Sequence, residues 1–127
     1  MLDDRNIKKD PNVDEIAVWK AADNETGWQA LLGDKRGSAE VKPSAAPARM
    51  TSTKGQPPAF IDCGTLDIFC VEDVEYAKKL LQDGVTTELH IYPGAVHAFE
   101  LIAPQAQVTQ KALQNRFNAI NSIVALP

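Results

Sequence analysis

The chain has 127 residues and a formal net charge of -4, with a sequence pI near 5.1, so it lacks the clustered positive face that nucleic acid or an anionic membrane would require. Hydrophobic residues make up 44% and charged residues 24%, a balance that excludes compositional disorder and supports one compact unit with a modest core. No run approaches the roughly 18 apolar residues of a membrane span, and Met1-Leu2-Asp3-Asp4-Arg5 has no apolar signal-peptide core. A soluble, cytoplasmic protein with no nucleic-acid or membrane partner is expected.

The first third predicts two short helices after an extended lead-in. Asp14 is placed to cap residues 15–20, and Asn24 to cap a second helix whose Trp28, Leu31 and Leu32 share one face before Gly33 stops it. Trp19 and Trp28 are expected to share an apolar contact. Residues 34–58 carry Gly37, Pro43, Pro47, Pro57 and Pro58 among Ser, Thr, Lys and Ala, which punctuates rather than continues regular structure and reads as a long connecting segment. From Pro58 the pattern turns βαβα. Residues 59–64 form an apolar run of buried-strand length, residues 71–83 a helix with Val74, Ala77, Leu80 and Leu81 on one face and Gly84 after it, and residues 88–92 a second strand turned by Pro93-Gly94. A final helix spans residues 105–124, with Val108, Ala112, Leu113, Phe117, Ile120 and Val124 recurring mostly at steps of three or four. Residues 1–57 and 58–127 are thus two segments of one unit, the second an α/β arrangement whose parallel crossover should be right-handed.

In open α/β sheets, functional side chains gather just beyond the carboxyl ends of the parallel strands. Gly64-Thr65-Leu66-Asp67 follows the first strand and Pro93-Gly94-Ala95-Val96-His97 the second, giving an acid and then a histidine in the order in which α/β-hydrolases carry theirs. Such a pair works together, because the histidine takes a nucleophile's proton while the carboxylate fixes its tautomer and stabilises the imidazolium. Spacing alone also fits a helix-capping Asp and a surface His. Cys63 and Cys70, with six residues between them and no adjacent histidine, fit no disulfide framework or zinc pattern, and Cys63 reads as a buried free thiol. No metal and no cofactor is expected.

Several strings in sequence resemble the hormone-sensitive-lipase-like branch of α/β-hydrolase esterases. Met1-Leu2-Asp3-Asp4-Arg5-Asn6 is similar to the segment leaving that family's sixth strand; Trp19, Asn24, Gly27-Trp28 and Leu31-Leu32-Gly33 resemble the insertion that follows. Ala45-Ala46-Pro47-Ala48-Arg49, Leu66-Asp67-Ile68-Phe69, Glu72-Asp73 and Tyr76-Ala77 continue in step, and the strongest match is Glu88 through Ala95 running into His97-Ala98-Phe99-Glu100. The resemblance implies the C-terminal part of an α/β-hydrolase fold, with a short parallel sheet, a βαβ crossover and flanking helices. It also implies Asp67 and His97 as the acid and base of a catalytic triad, and His90 as a structural strand residue. Ala98 stands where the family usually has glycine, Ile68 where proline is frequent, and Cys70 where arginine is common.

The family's G-x-S-x-G nucleophile elbow and its Gly-rich oxyanion segment do not occur. None of Ser38, Ser44, Ser52 and Ser122 has glycine two positions away on both sides. The expectation is a carboxylic-ester hydrolase by family whose chain alone is inactive, acting on a small acyl ester only when a nucleophile-bearing chain completes it. The alternative is a non-catalytic, oligomeric binding or assembly module. An open strand edge near Pro58 and the residues around Met1 predict a homo-oligomer in either case.

Overall fold

The structure is a computed structural model that describes residues 1–6 and 10–124. Two strands, β1 (Ala59–Gly64) and β2 (Thr87–Tyr92), run parallel, with Ala59 opposite Thr87 and Gly64 opposite Tyr92. Their connection is helix α3 (Cys70–Gln82), which Gly84 releases at a φ of 80°, the left-handed position where glycine is favoured. The strand-helix-strand reading of residues 59–92 therefore holds to within a residue or two.

The inward face of α3 departs from the expected stripe. Ala77 and Leu80 are buried, but Val74 and Leu81 lie outside. Phe69, Ala77 and Leu80 are buried, Glu72 is buried beside them, and Asp73 is half-buried between Phe69 and Ala77, so carboxyls occupy the side that apolar periodicity assigned to valine. The final helix, α5 (Gln107–Val124), shows a similar rotation: Thr109 and Ala112 are buried, while Phe117 and Ile120 are more than half exposed. Arg116 takes the inward position next to Phe117 because Asp62 of β1 binds it. A one-turn helix that the sequence did not suggest, α4 (Phe99–Ile102), precedes α5 and sends Phe99 into a core with Tyr92, Ala95 and Ala112.

Ahead of the sheet lie α1 (Pro11–Ile16) and α2 (Ala21–Leu32). Neither expected cap acts as expected. Asp14 lies inside α1 and its carboxylate accepts the backbone N–H of Ala21, so it caps the start of the next helix. Asn24 lies inside α2, buried, donating its amide to the carbonyl of Asn6. Gly33 does end α2, at a φ of 55°. Trp28 packs with Val41 and Ala46 in a second, smaller core.

Polar anchors hold these loop-rich elements together and tie them to the sheet unit. Asp4, with no exposed surface, receives Nε and Nη2 of Arg49 at 2.6 and 2.8 Å and the N–H of Gly37 at 2.7 Å. Glu72 of α3 accepts the N–H of Leu2 and the amide of Asn6. Asp83, just after α3, accepts the backbone and hydroxyl of Thr53 and the hydroxyl of Ser52.

Candidate active site

Both residues singled out in the sequence arrive at the carboxyl ends of the two strands, and they meet. His97 Nδ1 lies 2.8 Å from Asp67 Oδ2. A carboxylate can only accept, so Nδ1 carries the proton and Nε2 is left as the basic nitrogen. Among the described residues no hydrogen bond reaches Nε2. The Asp67 side chain is 8% exposed and that of His97 36%, so the carboxylate is sheltered while the imidazole is the more accessible of the two.

The meeting depends on how closely two loops approach. Thr65 and Leu66 donate their N–H groups to the carbonyls of Tyr92 and Ala95, and the Thr65 hydroxyl accepts the N–H of Gly94. At Gly64 there is no room for a side chain: a Cβ there would fall 2.1 Å from the carbonyl oxygen of Ala95. Glycine is the residue that lets the loop carrying Asp67 lie against the loop carrying His97. Asp67 is then fixed from its own side, its Oδ1 accepting the N–H of Phe69 at 3.0 Å.

Aromatic rings orient the imidazole. Phe69 meets His97 edge-on at 5.5 Å and 72°, and Trp19, from the link between α1 and α2, lies 6.1 Å away, tilted by 46°. Trp19 Nε1 and Trp28 Nε1 are buried without a partner among the described residues. Ala98, directly after His97, adopts the left-handed conformation with a φ of 55° and a ψ of 31°, a strained choice for a residue with a Cβ. The strain lies where the family resemblance places glycine.

The pair opens on a cavity of about 250 Å³ whose walls include Cys63, Asp73, Glu100 and Arg116. Burial pushes the Asp73 carboxyl up to about 6, and the charges of Glu72 and Asp67 add to the effect against a hydrogen bond from Cys63. Burial likewise pushes the Cys63 thiol up, so it remains protonated and is no nucleophile. A larger groove, about 510 Å³, runs between α3 and residues 3–6 and contains neither Asp67 nor His97. Among the described residues no group of three His, Cys, Asp or Glu side chains could hold a metal ion, and no helix is long and apolar enough to cross a membrane.

His90, the other histidine, belongs to a different cluster. Its Nε2 contacts Glu88 at 2.6 Å, Asn115 approaches its Nδ1, and its ring stacks on Tyr92. Sequence reasoning missed Gly64, Thr65, Phe69 and Trp19 as parts of the site. A Gly-Thr directly after a buried strand was the one local signal for the close approach.

A parallel strand pair whose carboxyl ends present a hydrogen-bonded Asp and His defines an α/β architecture with an acid–base pair at the strand termini. A family model described as alpha/beta hydrolase fold matches residues 2–101, and the chain belongs to that family. It superposes on the esterase LipW from Mycobacterium marinum with a TM-score of 0.82 at 26% identity, over 99% of this chain and 39% of that one. On a bacterial heroin esterase the TM-score is 0.82 at 32% identity, over 94% and 39%. A hormone-sensitive lipase from a metagenome library, at 16% identity, shares the fold with a TM-score of 0.78 over 95% and 41%. The chain thus spans about two-fifths of the length of these solved structures. No curated protein matches it significantly.

Proposed function

We propose that the chain supplies the acid–base half of a carboxylic-ester hydrolase, with Asp67 orienting and His97 acting as general base and then general acid. The observation that carries this reading is the 2.8 Å contact between His97 Nδ1 and Asp67 Oδ2, with no hydrogen bond to Nε2 among the described residues. In that geometry Nε2 takes the proton of a serine hydroxyl as it attacks a small acyl ester, and Asp67 stabilises the imidazolium formed. His97 then returns the proton to the departing alcohol. The names of the solved esterases support the reaction class.

The 127 residues hold no nucleophile elbow, and loss of the nucleophile from a triad costs on the order of a million-fold in turnover. The chain alone is therefore expected to leave p-nitrophenyl acetate hydrolysis at the buffer rate. Co-expression with the serine-bearing remainder of a relative such as the Mycobacterium marinum esterase should restore hydrolysis, and His97→Ala should abolish it. Hydrolysis by the pure chain that disappears in His97→Ala would overturn the division of labour.

A second reading is supported by the open edge of β1. Ala59 and Thr65 donate to the β2 side, and alternation aims the backbone groups of Phe60, Asp62 and Gly64 away from it. Among the described residues no strand pairs there. Such an edge suits pairing with a second copy, which would make the chain a homo-oligomeric assembly module. Light scattering that gives a monomer at micromolar concentration would remove this reading.

A further inference from the structure

His97 sits between two supports of unequal strength. Upstream, Ala95 is pressed against Gly64 and bonded to Leu66. Downstream lies α4, a helix of four residues, far too short to hold its own shape in water, reached through the strained Ala98. The apolar tie of α4 is Phe99 in the core. Its charged tie is Glu100, whose Oε1 accepts Nη1 of Arg116 at 2.9 Å.

The same guanidinium reaches the other side of the site. Arg116 Nε and Nη2 bind the two carboxylate oxygens of Asp62 at 2.7 and 3.1 Å. Asp62 lies in β1, two residues before Gly64 and five before Asp67; Glu100 lies three residues after His97. One side chain of α5 thus joins the strand that delivers the acid to the turn that carries the base. Bidentate pairing of a planar guanidinium fixes direction as well as distance, and the Asp62 and Arg116 side chains are only 12% and 30% exposed.

We infer that Arg116 is a positioning residue for the acid–base pair, bracing the segment after His97 against β1 through Glu100 and Asp62. This rests on the proposed roles of Asp67 and His97, but its test does not require turnover. The probe is the His97 Nδ1 proton, observed by NMR in the intact chain as a hydrogen-bonded imidazole N–H, together with its exchange rate with water. Arg116→Gln should speed that exchange at least about tenfold or erase the signal, while the indole resonance of buried Trp28 stays in place. Arg116→Lys, which keeps the charge and one bond, should restore part of the protection. Glu100→Gln, which leaves the bidentate pair of Arg116 with Asp62 in place, should reproduce a smaller acceleration.

Unchanged exchange in both Arg116→Gln and Glu100→Gln would overturn the brace. So would a loss in Arg116→Gln that Arg116→Lys does not relieve, or one that occurs with unchanged exchange in Glu100→Gln, since either would mean that α4 is not held through Glu100. If the brace holds while the complemented chain shows no His97-dependent hydrolysis, the catalytic reading fails and the positioning of the pair stands.

Discussion

Residues 1–57 and the strand-helix-strand unit that follows are held by different physics. The later unit rests on parallel pairing, a small apolar core around Tyr92, Ala95, Phe99 and Ala112, and close loop packing at Gly64. The earlier segment has short helices and a small core at Trp28, and carboxylates at Asp4, Glu72 and Asp83 anchor it across 30 to 70 positions in sequence. Apolar packing degrades gradually when trimmed, whereas a buried ion pair stripped of one member leaves an uncompensated charge. The two regions should therefore fail differently.

The largest effect is expected at Asp4. Asp4→Ala would strand Arg49, whose side chain is 12% exposed, and remove the acceptor for Gly37; the midpoint of urea unfolding should fall further than in any other variant below. Amide protection in the sheet unit should fall less than protection around Gly37 and Arg49, and equal loss in both would erase the contrast between the regions. The pair with Arg49 and the bond from Gly37 hold the Asp4 carboxyl below its usual value against burial. Its contribution is thus complete above about pH 4 and fades as the pH drops through the lowered value.

Gly64→Ala comes next. The clash with the Ala95 carbonyl must be relieved by moving one loop, at a cost of about 2–3 kcal/mol, and the His97 Nδ1 proton signal should be lost even where the chain remains folded. A stable Gly64→Ala protein with that signal intact would show that the loops have slack.

Asp73 reverses the pH behaviour of Asp4. Its carboxyl is raised in the folded chain to about 6, so the folded state holds a proton that the unfolded state has released, and stability falls as the pH rises from about 4 to 6. Asp73→Asn should flatten that fall and add about 1–2 kcal/mol at pH 7, roughly half of what the shift would be worth without solvent screening. Thermal melts across pH 4 to 7 with unchanged slope in the variant would contradict it. The smallest effect is at Ala98, where Ala98→Gly should gain about 1 kcal/mol by relieving the left-handed strain, read as a rise in melting temperature.

The same division governs what the sequence reveals. Residues 59–92 carry their structure in local pattern: an apolar run, a helix with a terminal glycine, a strand and a Pro-Gly turn. That pattern located Asp67 and His97 at the strand ends, and the family strings assigned them roles. Periodicity failed where a single inward position is set by a partner in another element, as with Arg116 against Asp62 or Asp73 beside Cys63. It failed more broadly before residue 58, because nothing near Asp4 in the sequence announces Arg49. Asp14 and Asn24 stand in sequence where caps for the helices after them belong, yet Asp14 serves the neighbouring helix and Asn24 the carbonyl of Asn6.

The register of the two strands has a consequence for the order of folding. Asp67 and His97 are 30 positions apart, and a single helix closes that distance, so the loop-closure entropy is about 0.7 kcal/mol smaller than that of the anchors reaching from Leu2 and Asn6 to Glu72. Of the two kinds of contact, the one that closes the shorter loop is favoured to form first. The acid and the base would then find each other before the surrounding shell condenses, which makes the βαβ segment a self-assembling cassette that sequence change elsewhere in the chain can alter without first dismantling the pair.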